Sequence, residues 1–441
     1  MAVSEPVTST PVDAREPEFS RGYTTYAVGL LVVVYIFNFV DRQILNILLE
    51  EIGLEFALTD AQRGLLGGIA FGIFYSLLGI PIARWADRSN RSRIIAVAIF
   101  IWSLMTAVTG AALSFLHLFL ARVGVGVGEA GCSPPAHSIL SDYLHPERRA
   151  TALSIYALGV PIGTGLGLAI GGVLADAIGW RLTFVAVGVP GIVIALLVQF
   201  TLREPTRGYW DSPSPSAAGA SQAVAWQDVV AYMWRFRSFR HLSLAAALHA
   251  LYGYGAVVFN PAFFQRTFEL NAGEVGIKLG LIAFVAGGLG TFLGGYVSDW
   301  LQYRDRRWYM WVPAIATIVV VPLIFPLYLN ADAGAAFVWA TFPAIAGGMY
   351  LGPTFAMTQT LAKPAMRALA AAVLLLIINL VGLGLGPYLV GFVSDQLRPT
   401  VGDRSIAYAL LGVIAVCATW STLHYALAAR TLREDLAVAT S

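Results

Sequence analysis

Four ionisable residues stand inside runs otherwise suited to hydrocarbon. Asp41 and Arg42 interrupt LLVVVYIFNFVDRQILNILL, and Arg122 and Glu129 interrupt FLHLFLARVGVGVGEAGC. Charges kept in lipid-spanning helices are costly and mark ion or substrate routes. Arg122 and Glu129 are seven residues apart, so on a helix they share a face about 10 Å apart along the axis, too far to pair directly. Asp41 and Arg42 point about 100° apart, so one can face a cavity while the other meets a neighbouring helix. Packing the two helices together predicts Asp41 with Arg122 and Arg42 with Glu129, or the exchanged pairs, and the four charges then cancel. Protonating Asp41 or Glu129 leaves the cluster positive. The expectation is two proton-sensitive acids and two arginines whose planar forks suit a phosphate or other anion. A fixed ion network with no part in turnover is the competing reading.

The surrounding elements must be membrane helices. The chain has 441 residues, 57% hydrophobic and 12% charged, and its apolar runs reach the length of about 20 residues that crosses a bilayer as helix. The predicted class is an all-α membrane protein with twelve transmembrane helices in two pseudo-symmetric six-helix bundles. The expected spans are 24–49, 62–84, 93–113, 117–141, 149–175 and 182–202, then 241–265, 275–299, 309–329, 334–359, 367–393 and 405–429. The division is a tail over 1–22, a first bundle over 23–202, a linker over 203–240, a second bundle over 241–430 and a tail over 431–441. The linker opens with the polar REPTRGYWDSPSPSAAGAS, which cannot cross lipid. It ends in WQDVVAYMWRFRSFRH, an amphipathic helix expected to lie at the headgroups with Arg235, Arg237 and Arg240.

With both termini cytoplasmic, and with Lys/Arg near span ends counted with the adjoining loop, 20 fall on that side, 6 on the other and 2 deep within the spans, as the positive-inside rule requires. No cleavable signal is evident in the polar first 22 residues. The expected location is a bacterial inner membrane, and the expected state is a monomer. Cys132 and Cys417 lack metal-ligand partners, so no metal or cofactor is expected. No basic soluble domain points to nucleic acid. Ser133, His137 and Ser138 do not make a catalytic triad, so the chain does not read as an enzyme.

Two patterns recur in the halves. ARWADRSNRSR follows the second span and GYVSDWLQYRDRR follows the eighth, setting Asp87 and Asp299 at matching positions before arginines. Asp87, Arg88, Arg91, Asp299 and Arg306 therefore form a candidate conformational gate, with positive-inside bias as the plain alternative. The fifth and eleventh spans are rich in Gly and Pro. Gly159, Pro161, Gly163, Gly386 and Pro387 are candidates for a bending seam, with static close packing as the alternative. Tyr35, Asn38, Tyr252, Tyr254, Asn260, Tyr350, Thr354 and Asn379 are polar positions on apolar spans and candidates to line a central route. Phe37, Phe39, Phe71, Phe74, Phe259, Phe263 and Phe264 would shield an acyl tail.

Two six-span halves, a long central loop and the DRxxR loop resemble the major facilitator superfamily over nearly the whole chain. Ala83 and Asn90 depart from the glycines usual in that loop. NFVDRQILNILLE at 38–50, with ARVGVGVGEAGCSPPAHSILSDY at 121–143, resembles the Spinster family of lysolipid and sphingolipid transporters. The Asp-Arg pair alone also resembles organic anion:cation symporters. The resemblance implies alternating access, Asp41 and Arg42 in substrate binding and coupling, and Glu129 in conformational switching. The expected partners are an amphipathic anionic lipid or an organic anion, protons and membrane lipid.

Overall fold

The computed structural model describes residues 16–86, 88–210 and 225–440. Among these, ten helical stretches are long and apolar enough to cross a membrane. Two of the ten, Pro146–Thr201 with 56 residues and Pro364–Ala439 with 76, are far longer than one crossing needs. Each turns back once at a glycine that adopts a left-handed backbone, Gly179 with φ 76° and Gly402 with φ 59°, a conformation open to glycine because it has no Cβ. The result is the twelve-span, two-half fold expected from the hydropathic pattern.

Local chemistry sets where the helices start. Ser20, Asn90, Asn271 and Asp332 each accept a backbone N–H in the first turn of Arg21–Glu55, Arg91–Thr109, Ala272–Ile282 and Ala333–Gly348. Thr59 and Gln62 form a reciprocal capping box at Asp60–Gly67. Each such cap contributes about 1 kcal/mol. In the linker, Trp226–Trp234 buries Val229 and Met233 against the second half and leaves Trp234, Arg235, Arg237 and Arg240 exposed.

The buried apolar residues fall into three groups, and their arrangement defines the state of the molecule. Near the termini and linker the halves have separate cores. One runs from Ala27 through Trp102 and Tyr143 to Leu202 and, among the described residues, takes Leu383 and the partly buried Tyr254 from the second half, and the other runs from Val229 through Met310 and Leu374 to Leu436. Away from the termini, Ile44, Leu48, Leu66 and Phe184 share one core with Phe259, Phe263, Tyr328 and Ile406. The halves are therefore fused at the end opposite the termini.

Close backbone approach makes that fusion possible. A Cβ on Gly172 of the fifth span would lie 2.1 Å from the Ala272 carbonyl oxygen, and one on Gly276 of the eighth would lie 2.2 Å from that of Leu168. Gly64 and Gly391 do the same between the second and eleventh spans, against the carbonyls of Pro387 and Asp60 at 2.3 and 2.1 Å. Of the sequence-derived seam residues, Gly159 and Gly163 instead seat the fifth span on the first, near Tyr35 and the Ile36 carbonyl, and Gly386 seats the eleventh on the seventh at the Leu251 carbonyl. Pro161 is half-buried, and Pro387 follows a π-helical stretch, Ile378–Leu385. A second π-helical stretch interrupts the eighth span at Ala283–Gly287; such wide turns recur at functional points in helices.

Gly172→Ala is expected to wedge the fused end apart. A cysteine at Gln265, whose amide now donates to the Ile47 carbonyl across the seam at 3.0 Å, should then be alkylated faster by an aqueous thiol reagent. Unchanged labelling would show that the seam tolerates the methyl group.

Candidate transport site

The fourth span cannot run unbroken. Phe115–Glu129 ends at Glu129, and Ser133–Tyr143 restarts with Pro134 and Pro135 in its first turn, residues that have no N–H to continue the ladder. Gly126 and Gly128 let this span nest against the second and third, since a Cβ there would meet the Phe71 carbonyl at 2.8 Å and the Trp102 nitrogen at 2.7 Å. Glu129 is thereby held at a helix end within reach of the first span.

Arg42 Nε donates to Glu129 Oε2 at 2.6 Å. The Arg42 guanidinium also lies over the rings of Phe39, Phe71 and Tyr75 at 4.9, 4.7 and 4.6 Å, and Arg122 lies over Phe71 at 4.9 Å. Phe71 thus serves both cations, whose attraction to an aromatic face strengthens away from water. One of the two expected ion pairs is present. Asp41 instead accepts a hydrogen bond from the Thr106 hydroxyl at 2.6 Å. Its other oxygen, Arg122 Nε, Glu129 Oε1 and Asn38 Oδ1 are buried without a partner. The Glu129 side chain is fully enclosed, while that of Arg42 keeps 13% exposure, so any approach to the pair comes through Arg42.

A cavity lies mostly in the second half and reaches the first span at Gln43, next to Arg42 in sequence; none of the four charged residues lines it. Its volume is about 350 Å³, at the lower end of the range for small-molecule sites. Tyr252, Tyr254, Asn260 and Tyr350 line it, joined by His249, Tyr328, Gln43 and mostly aliphatic residues, with no formal charge in the wall. Tyr254 connects the two regions, since it also packs against the first-half core. Tyr35, Asn38, Thr354 and Asn379 are not in the lining. Tyr35 stacks on Tyr156 with centroids 4.2 Å apart. Thr354 is buried, donates to the Tyr350 carbonyl and meets the Tyr425 hydroxyl at 3.0 Å, and Asn379 sits in the π-helical stretch of the eleventh span.

His249 is part of the cavity wall. Its ring stacks on Tyr350 with centroids 3.9 Å apart, Nε2 lies 3.0 Å from the Gly347 carbonyl and Nδ1 lies 3.0 Å from Thr317 Oγ1. A carbonyl only accepts, so Nε2 carries the proton and Nδ1 is the acceptor. Phe259, Phe263 and Phe264 are fully buried core residues. Phe39 and Phe71 face Arg42.

At the end bearing the termini, the loop charges pair within each half. Arg91 is buried, with Nε on Glu204 at 2.6 Å and NH1 on Asp142. Arg88 and Arg306 are exposed, Asp299 accepts from the Tyr309 hydroxyl at 2.6 Å, and Asp87 lies outside the described residues. In the second half it is Asp305 that gathers cations, from Arg307 at 2.8 Å and Arg433 at 2.6 Å. Burial works against its charge, but the Arg307 N–H and the two guanidiniums prevail and pull Asp305 down to about 2.

The opposite end carries a network that sequence reasoning missed. Asp60 is fully buried, accepts from Arg63 at 3.0 Å and Arg266 at 2.6 and 2.9 Å, and also takes the Ser394 hydroxyl at 2.7 Å. Glu50 accepts from the same two arginines at 3.0 and 2.6 Å, and Asp395 accepts the backbone N–H groups of Asp60 and Ala61. Arg266 and Asp395 belong to the second half, Glu50, Asp60 and Arg63 to the first. Among the described residues, the ion pairs that join the halves all lie in this cluster. The available signal was the placement of these residues at span ends, where they read as ordinary headgroup-level charge.

Two six-span halves flanking a cavity, fused at one end by buried ion pairs and glycine contacts and separate at the other, define a membrane transporter rather than an enzyme. Residues 31–387 match the Major Facilitator Superfamily. An MFS-type efflux pump of Mycolicibacterium smegmatis is 33% identical over 411 residues, covering 93% of this chain and 94% of that protein. Protein spinster homolog 1 of Mus musculus is 29% identical over 401 residues, covering 86% and 74%. A crystal structure of a bacterial homolog to the human lysosomal transporter Spinster, in an inward-facing and unoccupied conformation, superposes with a TM-score of 0.86 at 33% identity, covering 95% of this chain and 99% of that one. The chain belongs to the Major Facilitator Superfamily, within which it is a transporter of Spinster type.

Proposed function

We propose that this transporter moves an amphipathic anionic lipid, of the lysophospholipid or sphingolipid kind, by proton-coupled alternating access. The observation that supports the reading is an uncharged, tyrosine-edged cavity that reaches Gln43, the chain neighbour of Arg42, which is the most accessible member of a buried charge cluster. An acyl tail fits the cavity wall, and Arg42 offers a fork to the headgroup when it leaves Glu129. The unpartnered oxygens of Asp41 and Glu129 leave the cluster incompletely satisfied. A half-satisfied buried network is expensive, and a second arrangement, reached on protonation or cargo binding, relieves it.

In this reading the end bearing the termini is cytoplasmic, in a bacterial inner membrane, and the separated cores open the cavity to that side. The loop acids and arginines, Asp87, Arg88, Arg91, Asp299 and Arg306, then re-pair across the halves when that side closes. The glycines and prolines of the fifth and eleventh spans accommodate the bending.

The test is flux in reconstituted liposomes, comparing a lysophospholipid, sphingosine phosphate and small organic anions with and without a pH gradient. Lipid-selective flux is expected, and selectivity for small hydrophilic anions would overturn the cargo assignment. Asp41→Asn is expected to abolish the pH dependence of that flux, because a permanently neutral side chain holds the cluster in its protonated charge state. Wild-type pH dependence in this variant would remove Asp41 from the coupling step.

A further inference from the structure

A second, much smaller cavity borders the charge cluster at Arg122 and shares no lining residue with the transport cavity. It offers about 10 Å³, room for one water. Leu45, Leu66, Leu118, Val125 and Phe184 wall it, and three polar side chains reach it: Thr106, Thr109 and Arg122. All three are buried, and Arg122 Nε has no partner. Thr109 donates to the Met105 carbonyl at 2.8 Å, which leaves its oxygen free to accept. The Thr106 hydroxyl has spent its proton on Asp41 Oδ2 at 2.6 Å, so its lone pairs are likewise free. An enclosed water needs two to four polar partners, and this cavity supplies three.

The cavity also lies close to the fused end of the molecule. Thr109 closes the third span, and Leu118 stands three residues into the fourth, about 4.5 Å below its start. The charged groups around Asp41 are Arg122 and Glu129 from the fourth span and Arg42 from its own; the third span contributes only hydroxyls, and the sixth contributes Phe184.

We propose that this cavity is a water site that relays protons to Asp41, separate from the transport cavity, with which it shares no lining residue. A proton reaching this water from solvent displaces one of the water's own protons onto Thr106 Oγ1 as the Thr106 hydroxyl proton passes to Asp41 Oδ2. One O–H bond forms and one breaks at Thr106, the carboxylate becomes a carboxylic acid, and the donor is left as neutral water. Arg122 and Thr109 position that water.

The proposal rests on Asp41 titrating, so the test separates the two. In the detergent-solubilised full chain, time-resolved infrared spectroscopy after a pH jump reads the carbonyl band of protonated Asp41, assigned by its loss in Asp41→Asn. Thr109→Val removes a partner of the water, and Val125→Leu fills the cavity; neither touches the Asp41–Thr106 bond. Both are expected to slow protonation at least tenfold with the titration midpoint unchanged, and Thr106→Ser is expected to match the wild type. Wild-type rates in both Thr109→Val and Val125→Leu would overturn the water route while leaving Asp41 as a proton acceptor. If Asp41→Asn removes no band, Asp41 does not titrate, and the proton-coupled reading falls with the water route.

Discussion

Asp60→Asn is expected to drive the transporter out of the state described here. The substitution keeps shape and some hydrogen bonding but removes a charge that faces both Arg63 and Arg266. Glu50 alone then answers two guanidiniums, each with a side chain no more than 12% exposed. Taking one partner from a buried ion network costs about 3–5 kcal/mol. That cost falls on the fused state, because once the halves part, water solvates the arginines. At 1.36 kcal/mol per factor of ten, the population shifts by about a hundredfold or more toward opening at this end. Spin labels on the exposed Leu113 and Leu329, in loops of opposite halves at this end, should report a longer distance in Asp60→Asn. Adding Arg266→Gln should bring part of the short-distance population back by removing the stranded cation. A distance distribution identical to wild type would mean that the glycine seams and shared apolar core hold the fused end without the ion network.

The elements were legible because lipid imposes a simple grammar. Each span is a long apolar run, and a loop such as 303–307 carries the charges that lipid excludes. Arg42 with Glu129 was legible for a related reason, since few charges occur in such runs and they must find one another. The partner of Asp41 was not. Thr106 is an unremarked hydroxyl in an apolar span, and only the packing of the third span on the first turns it toward the carboxylate. The network around Asp60 was hidden differently. Glu50, Asp60, Arg63, Arg266 and Asp395 lie at span ends, where charge is ordinary, and become exceptional only because two halves bury them together. The glycines show the same limit: composition marks a helix made for close approach, but Gly163 faces its own half and Gly172 faces the other, a difference set by rotation about the helix axis.

The second large effect is expected at Arg42, and it separates a working pair from a permanent brace. Arg42→Lys keeps the charge but replaces a planar fork, held between Glu129 and the faces of Phe39, Phe71 and Tyr75, with a compact, strongly hydrated ammonium. Lysine offers a headgroup a point charge without the planar fork, so flux of an anionic lipid into liposomes should fall at least tenfold through weaker binding. Glu129→Gln acts in the opposite sense on affinity. It removes the enclosed carboxylate that competes with cargo for the guanidinium, so binding of a fluorescent lysophospholipid should tighten while turnover falls, because the protein no longer gains a strong internal pair on releasing its cargo. A ligand shifts a conformational equilibrium only by its differential affinity for the two states, and in the proposed cycle exchange of Arg42 between Glu129 and cargo would supply that difference. A structural brace predicts otherwise: both variants would melt at lower temperature and lose binding together. Opposite shifts in affinity for Arg42→Lys and Glu129→Gln, at matched thermal stability, are the signature of a pair that opens in every cycle.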